Sequence, residues 1–101
     1  MGLRHSEQTD ALFRSILALT SIEECYAYFE DLCTMKEVHD FSQRLEIARL
    51  LDEGSSYQQA ASLTGVSSAT IGRVKRCLDY GTGGYRMILG RLKEADARDD
   101  G

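Results

Sequence analysis

The chain has 101 residues, enough for one small domain, and a domain of that size buries a limited share of its surface on its own. Its composition, 43% hydrophobic and 28% charged, is that of an ordinary soluble globular protein, and the absence of proline favours uninterrupted helices joined by glycine and serine turns. The net charge of −4 argues against a uniformly basic nucleic-acid binder, and no apolar run approaches the roughly 20 residues a membrane span requires.

In chain order, the segment 1–5 reads as a loose end that lacks the apolar core of a signal peptide, so a cytoplasmic protein is expected. A first helix is predicted over 7–19, with Ser6 at its start and Leu12, Ile16 and Leu19 on one stripe. Ser21 and Glu24 have the spacing of a capping box and open a helix over 22–32. Ile22, Cys25, Tyr26, Phe29 and Leu32 are expected to face inward there. Thr34 and Glu37 repeat that spacing ahead of a long helix over 35–53, with Val38, Phe41, Leu45, Ala48 and Leu51 as its buried stripe. Gly54 should end it in a left-handed conformation. Ser56 caps a short helix over 57–63, and Ser67 caps the next, over 68–79. Gly81 stops that helix, and Gly83-Gly84 turns into a last one over 84–95, leaving 97–101 loose. Six helices, no strand alternation and no internal repeat define an all-α fold in a single domain over 1–101.

The stretch from Tyr57 to Val74 carries the strongest functional signal. Two short helices that cross around a tight turn need small residues at the crossing, here Ala60 and Ala61. The turn needs a residue that tolerates positive φ, here Gly65. Val66 plugs the space beneath it, and Ile71 and Val74 hold the second helix against the first. This arrangement predicts a helix-turn-helix over 57–79, with Ser67, Ser68, Ala69, Thr70 and Arg73 at an outward edge. Small side chains at that position can approach base edges in a major groove. Arg73, Lys75 and Arg76 lie further along, where phosphates would be.

Charge distribution agrees with that placement. Residues 1–55 hold five Lys/Arg against eleven Asp/Glu, whereas 56–93 hold six Lys/Arg and only Asp79 as an acid. Salt screens charges beyond about 8–10 Å, so a local excess is what a phosphate backbone meets. A solvated helix face with no ligand, or a helical module that docks another protein without binding DNA, is the alternative reading of the same residues.

Other constellations carry less. Cys25, Cys33 and Cys77 are odd in number and lack C-x-x-C spacing, which reads as small buried side chains. His5 and His39 have no partner at metal-ligand spacing, so no metal site is expected. The acidic pairs Glu23-Glu24 and Glu30-Asp31 read as solvated faces. Gly81-Thr82-Gly83-Gly84 follows a helix rather than a strand and lacks the G-K-[ST] ending of a phosphate loop. No catalytic residues are predicted, and the chain is not read as an enzyme.

Four stretches are then informative together: Ala27–Thr34, Gln43–Ala48, Ala69–Val74 and Cys77–Tyr85. Over roughly residues 10–92 they resemble the Trp repressor superfamily, most closely its TrpR-like YerC/YecD branch. The resemblance implies a six-helix Trp-repressor-like fold, an intertwined homodimer, and a transcriptional repressor whose paired recognition helices meet successive major grooves of a palindromic duplex DNA operator. It adds Gln58, on the short fourth helix, to the DNA-facing residues. It further implies a small-effector pocket built from Thr34, Arg44 and Arg73, where the repressor holds tryptophan. Val74 and Cys77 replace the glycine and serine of that pocket, and on these residues no cofactor is expected.

Overall fold

The computed structural model describes residues 2–100, with the side chains of residues 99 and 100 outside that description. Among the described residues there are six helices and no strand: α1 (Glu7–Leu17), α2 (Ile22–Leu32), α3 (Met35–Asp52), α4 (Tyr57–Thr64), α5 (Ser68–Tyr80) and α6 (Gly84–Asp100). The last helix runs past the predicted end at 95, through four residues expected to be loose; the remaining one, Gly101, lies outside the described residues, as does Met1 at the other end. The stretch 95–100 contains no glycine or proline to stop it, so the helix continues. The chain divides into two compact units, Met1–Val38 and His39–Gly101.

In the first unit, Ser6 Oγ accepts the Thr9 N–H at 3.0 Å and so caps α1. Ser21 caps α2 in the same way, accepting the Glu24 N–H at 3.1 Å. The return half of the expected capping box forms elsewhere: the Glu24 carboxylate accepts the Thr20 N–H at 2.8 Å and the Thr20 hydroxyl at 2.9 Å. One residue further out, Thr20 offers two donors where Ser21 would offer one. Ser15 and Tyr28 join the helices through a hydroxyl–hydroxyl bond of 2.6 Å. Leu12, Ile16, Cys25 and Phe29 are half-buried as expected, and neither helix contributes a fully buried residue. The inward placement of Ile22, Tyr26 and Leu32 is not found; Ile22 is 71% and Tyr26 74% exposed. Leu32 is 45% exposed, so this face of α2 stands open.

The second unit holds the core: Ile47, Ala48 and Leu50 of α3, Ala60 of α4, Ile71, Val74 and Leu78 of α5, and Leu89 of α6. Leu51, Ala61, Val66 and Tyr85 pack against it. Burying a Val, Leu or Ile contributes roughly 1.5–3 kcal/mol each, so these few side chains supply most of the unit's stabilisation. On α3 the buried face differs from the predicted stripe. Ala48 belongs to both, but Ile47 and Leu50 turn inward, while Phe41 and Leu45 are exposed. The helix is apolar on two sides, and spacing alone does not say which side its own chain covers. The Arg44 guanidinium instead lies 5.6 Å from the Phe41 ring centroid, over its face.

Gly54 ends α3 with φ 102°, and the Ser55 N–H returns to the Leu50 carbonyl at 2.9 Å. Ser56 and Gln59 form a complete capping box on α4. Gly81 ends α5 for a different reason. A Cβ there would stand 2.4 Å from the Cys77 carbonyl oxygen, so only glycine fits without a shift. Gly83, at φ 88°, makes the turn into α6.

Replacing Ile71 with alanine should leave a cavity at the centre of this core. The expected loss is ~2–5 kcal/mol, read as a lower urea midpoint, whereas Ile22→Ala should change the midpoint little in the isolated chain. Equal effects at the two positions would contradict the core placed here.

Candidate nucleic-acid interface

The helix pair α4–α5 is built as its residues require. Gly65 follows α4 in the left-handed conformation, φ 72°, and its N–H bonds the Ala61 carbonyl at 2.8 Å. Ala60 is fully buried, so α5 meets α4 with only a methyl group between the backbones. Ile71 and Val74 are each 1% exposed and form the inner face of α5. Thr64 Oγ1 donates to the Ala60 carbonyl at 2.7 Å and receives the Val66 N–H at 3.4 Å, which closes the turn on itself.

With its inner face committed, α5 turns the opposite face outward. Ser67, Ser68, Ala69, Arg73 and Arg76 are exposed, and Thr70 is half-buried. Ser67 Oγ accepts the Thr70 N–H at 3.3 Å, and the two hydroxyls stand 3.2 Å apart, so both side chains are engaged in capping α5. Gln58 is exposed in the first turn of α4. Lys75 is half-buried, and its ammonium lies 3.4 Å from Asp79.

An open concavity of about 560 Å³ runs along this face. Ala69, Arg73, Lys75 and Arg76 line it, and so do four residues that sequence reasoning did not assign: Tyr57, Gly72, Asp79 and Tyr80. The spacing held a signal for three of them. Gly72, Asp79 and Tyr80 fall at i+3, i+10 and i+11 from Ala69, which is one side of a helix. Tyr57 comes from the start of α4, and only the folded pair brings it there.

Two of the local cations serve another purpose. Arg86 Nε donates to the Leu78 carbonyl at 3.0 Å, one guanidinium nitrogen bonds Asp52 at 3.0 Å, and the other lies 3.5 Å from Asp79. Lys93 reaches the second Asp52 oxygen at 3.1 Å. These pairs tie the ends of α3 and α5 to α6, so Arg86 and Lys93 are turned toward carboxylates of the same chain.

The three residues implied for an effector are distributed between the units. Thr34 lies in the first, as the cap of α3: its Oγ1 accepts the Glu37 N–H at 3.1 Å, and the Glu37 carboxylate accepts the Thr34 N–H at 2.8 Å. Arg44 and Arg73 lie in the second, and both act on the Tyr85 phenol. Burial pushes that phenol above its ordinary 10.0, and the Cys77 thiol adds to the rise; Arg44 and Arg73 oppose it. None of the three cysteines is buried as expected: Cys25 and Cys33 are half-buried, and Cys77 is exposed because it falls on the outer side of α5 between Arg73 and Gly81. Among the described residues, no group of three or more His, Cys, Asp or Glu could hold a metal ion, and no helix is long and apolar enough to cross a membrane.

Glu37 titrates below its ordinary 4.5, chiefly through the Thr34 N–H. A depressed folded value means the cap is complete above the unfolded value and is lost as pH falls through the lowered one. The Thr34 amide resonance should therefore move with a midpoint below 4.5, and Glu37→Gln should abolish that transition. A midpoint at or above the ordinary value would remove the carboxylate from the cap.

Comparison with known proteins agrees with this architecture. Residues 7–93 match the family described as Trp repressor protein. The uncharacterised protein YerC of Bacillus subtilis (strain 168) is 52% identical over 90 residues, 89% of this chain and 86% of YerC. The crystal structure of a TrpR-like protein from Eubacterium eligens superposes with a TM-score of 0.84 at 43% identity, covering 87% of this chain and 91% of that one. A crystal structure from Staphylococcus aureus, provisionally named a Trp repressor, gives 0.85 at 44% identity, with 88% and 89% covered. With six helices in this order and a helix-turn-helix at α4–α5, the chain belongs to the Trp repressor family.

Proposed function

We propose that the protein is a sequence-specific DNA-binding transcriptional repressor that acts as a homodimer through α4 and α5. The observation that carries this reading is the exposed edge Ser68–Ala69–Arg73–Arg76, presented by a helix whose other face is fully committed to the core. Ser68 and Ala69 are short enough for base edges to approach, and Ala69 offers a methyl to a thymine methyl. Arg73 and Arg76 are placed for phosphates, with Gln58, Ser67 and Thr70 at the margin.

Self-association is supported by the apolar side chains that this chain leaves uncovered. Ile22 and Tyr26 on α2, Phe41 and Leu45 on α3, and Ile88 and Leu92 on α6 are all exposed, each pair at i, i+4. A second copy, carrying the same stripes, is the occupant that a symmetric assembly supplies. Two recognition helices about 34 Å apart would then require an operator with two-fold symmetry and one-turn spacing.

The decisive experiment is selection of bound duplexes from a random pool. A palindrome with one-turn half-site spacing is expected. Affinity should fall steeply with salt, and Arg73→Ala should weaken binding by ~1–3 kcal/mol if its guanidinium makes a bidentate contact. Retention of a protein partner with little salt dependence, and of no duplex, would replace this reading with that of a protein-docking module.

We further propose that DNA binding needs no small effector. Val74 and Cys77 stand where the family's pocket has glycine and serine, and the Thr34 hydroxyl is engaged at the start of α3, where it accepts the Glu37 N–H at 3.1 Å. The chain contains no tryptophan, so added tryptophan is the only indole present. Its emission should stay flat as protein is titrated in, and duplex affinity should not change when it is added. A shift accompanied by tighter DNA binding would establish a corepressor.

A further inference from the structure

The cation-bearing segment 56–93 contains one acid, and the fold puts it beside the DNA-facing side of α5. Asp79 lines the same concavity as Arg73 and Arg76, with a carboxylate oxygen 3.4 Å from the Lys75 ammonium and another contact of 3.5 Å to Arg86. Its position is electrostatically adverse in two respects. It lies in the last turn of α5, where the helix dipole already disfavours an anion, and it would repel any phosphate drawn to that face.

The end of α5 and the anchoring of α6 have other ties besides Asp79. Arg86 Nε already donates to the Leu78 carbonyl, and Arg86 is already held by Asp52 at the shorter distance of 3.0 Å. What Asp79 uniquely holds is Lys75. The two sit four residues apart at the rim of the face, whereas Arg73 and Arg76 occupy its middle. The contact is an exposed i, i+4 pair, weak enough for a phosphate to compete with it.

We propose that Asp79 is a specificity-determining residue: it occupies Lys75 and thereby lowers attraction to DNA of the wrong sequence. The proposal rests on the DNA-binding reading above. Binding to random duplex is almost wholly a matter of how many phosphates are neutralised. A complex of that kind is loosely seated, so each cation within reach counts, Lys75 included. On the selected sequence, contacts at Ser68 and Ala69 fix the docking and seat Arg73 and Arg76. Lys75 stays at the rim, where it contributes less. Asp79 therefore acts more strongly against random duplex than against the selected one.

The test is a double-mutant cycle read as binding against salt, on random-sequence duplex and on the duplex selected from the pool. Asp79→Asn should tighten random-duplex binding by roughly 2–3-fold at about 0.1 M salt and steepen the log–log salt slope, by less than the ~0.9 of one full further phosphate. The gain on the selected duplex should be smaller, so the ratio between the two duplexes narrows. Lys75→Gln alone, which leaves Arg86 untouched, should change random-duplex affinity less than twofold. In the Asp79→Asn background it should remove most of the gain, leaving only the part due to relieved repulsion by the carboxylate.

A gain undiminished by Lys75→Gln would mean a general field effect and overturn the proposal. So would a gain equal on both duplexes, an unchanged salt slope, or a large loss from Lys75→Gln alone. If the wild-type protein retains neither duplex, the DNA-binding reading itself falls. If it binds both while Asp79→Asn binds random duplex as the wild type does, only the role of Asp79 falls.

Discussion

The contact between Ala60 and the Ile71–Val74 face of α5 is the constraint on which the functional surface depends. Ala60 carries one methyl group and is fully buried, so the two helix backbones lie close, and no larger side chain could stand there without parting them. Gly65 makes the approach feasible by reversing the chain at positive φ, where an L side chain would be strained. Once Ile71, Val74 and Leu78 point inward, helical geometry leaves Ala69, Arg73, Arg76 and Tyr80 no choice but the opposite side. The outward face is thus a consequence of core packing. A substitution at Ala60 or Val74 would alter the outward edge without touching any residue on it.

Local structure was the most legible part of the sequence. The capping residues Ser6, Ser21, Thr34, Ser56 and Ser67 all stand where the helices begin, because a cap acts over three residues and leaves its whole pattern in sequence. The glycines at 54, 65 and 83 were equally readable, since positive φ is a local demand. What could not be read was which apolar stripe the chain would cover with its own side chains. Ile22, Tyr26, Phe41 and Leu45 have the periodicity of core residues, yet they are exposed here. Periodicity records that a face is apolar; it does not record whether the covering surface belongs to the same chain. The same ambiguity explains why Ile47 and Leu50, rather than Phe41 and Leu45, line the interior of the second unit.

The candidate site shows a related division. Arg73 and Arg76 were identifiable from their place after the turn. Tyr57 was not, because it reaches the concavity only when α4 folds back along α5. Counting charges along the sequence also overstated the field on that face. Of the six Lys/Arg between 56 and 93, Arg86 and Lys93 are bound to Asp52, and Lys75 is paired with Asp79. Within that segment, Arg73 and Arg76 are the exposed cations that line the concavity, so they carry most of any attraction to a phosphate backbone.

That small number bears on how a chain of net charge −4 could act on DNA at all. With few cations directed outward, sequence-independent attraction is weak, and discrimination must come from close approach at the N-terminal end of α5. The residues there are small, so nothing hinders that approach, and each is held by the cap that Ser67 makes with the Thr70 N–H. A single copy would present only one such edge. Two copies related by symmetry would double the contacts while the phosphate term per copy stayed low, and affinity would then track the spacing and symmetry of the DNA more than its charge. On the proposed reading, the uncovered stripes on α2, α3 and α6 and the sparse cations of α5 are therefore two parts of one arrangement: the first would favour pairing of chains, and the second would make pairing necessary for DNA binding.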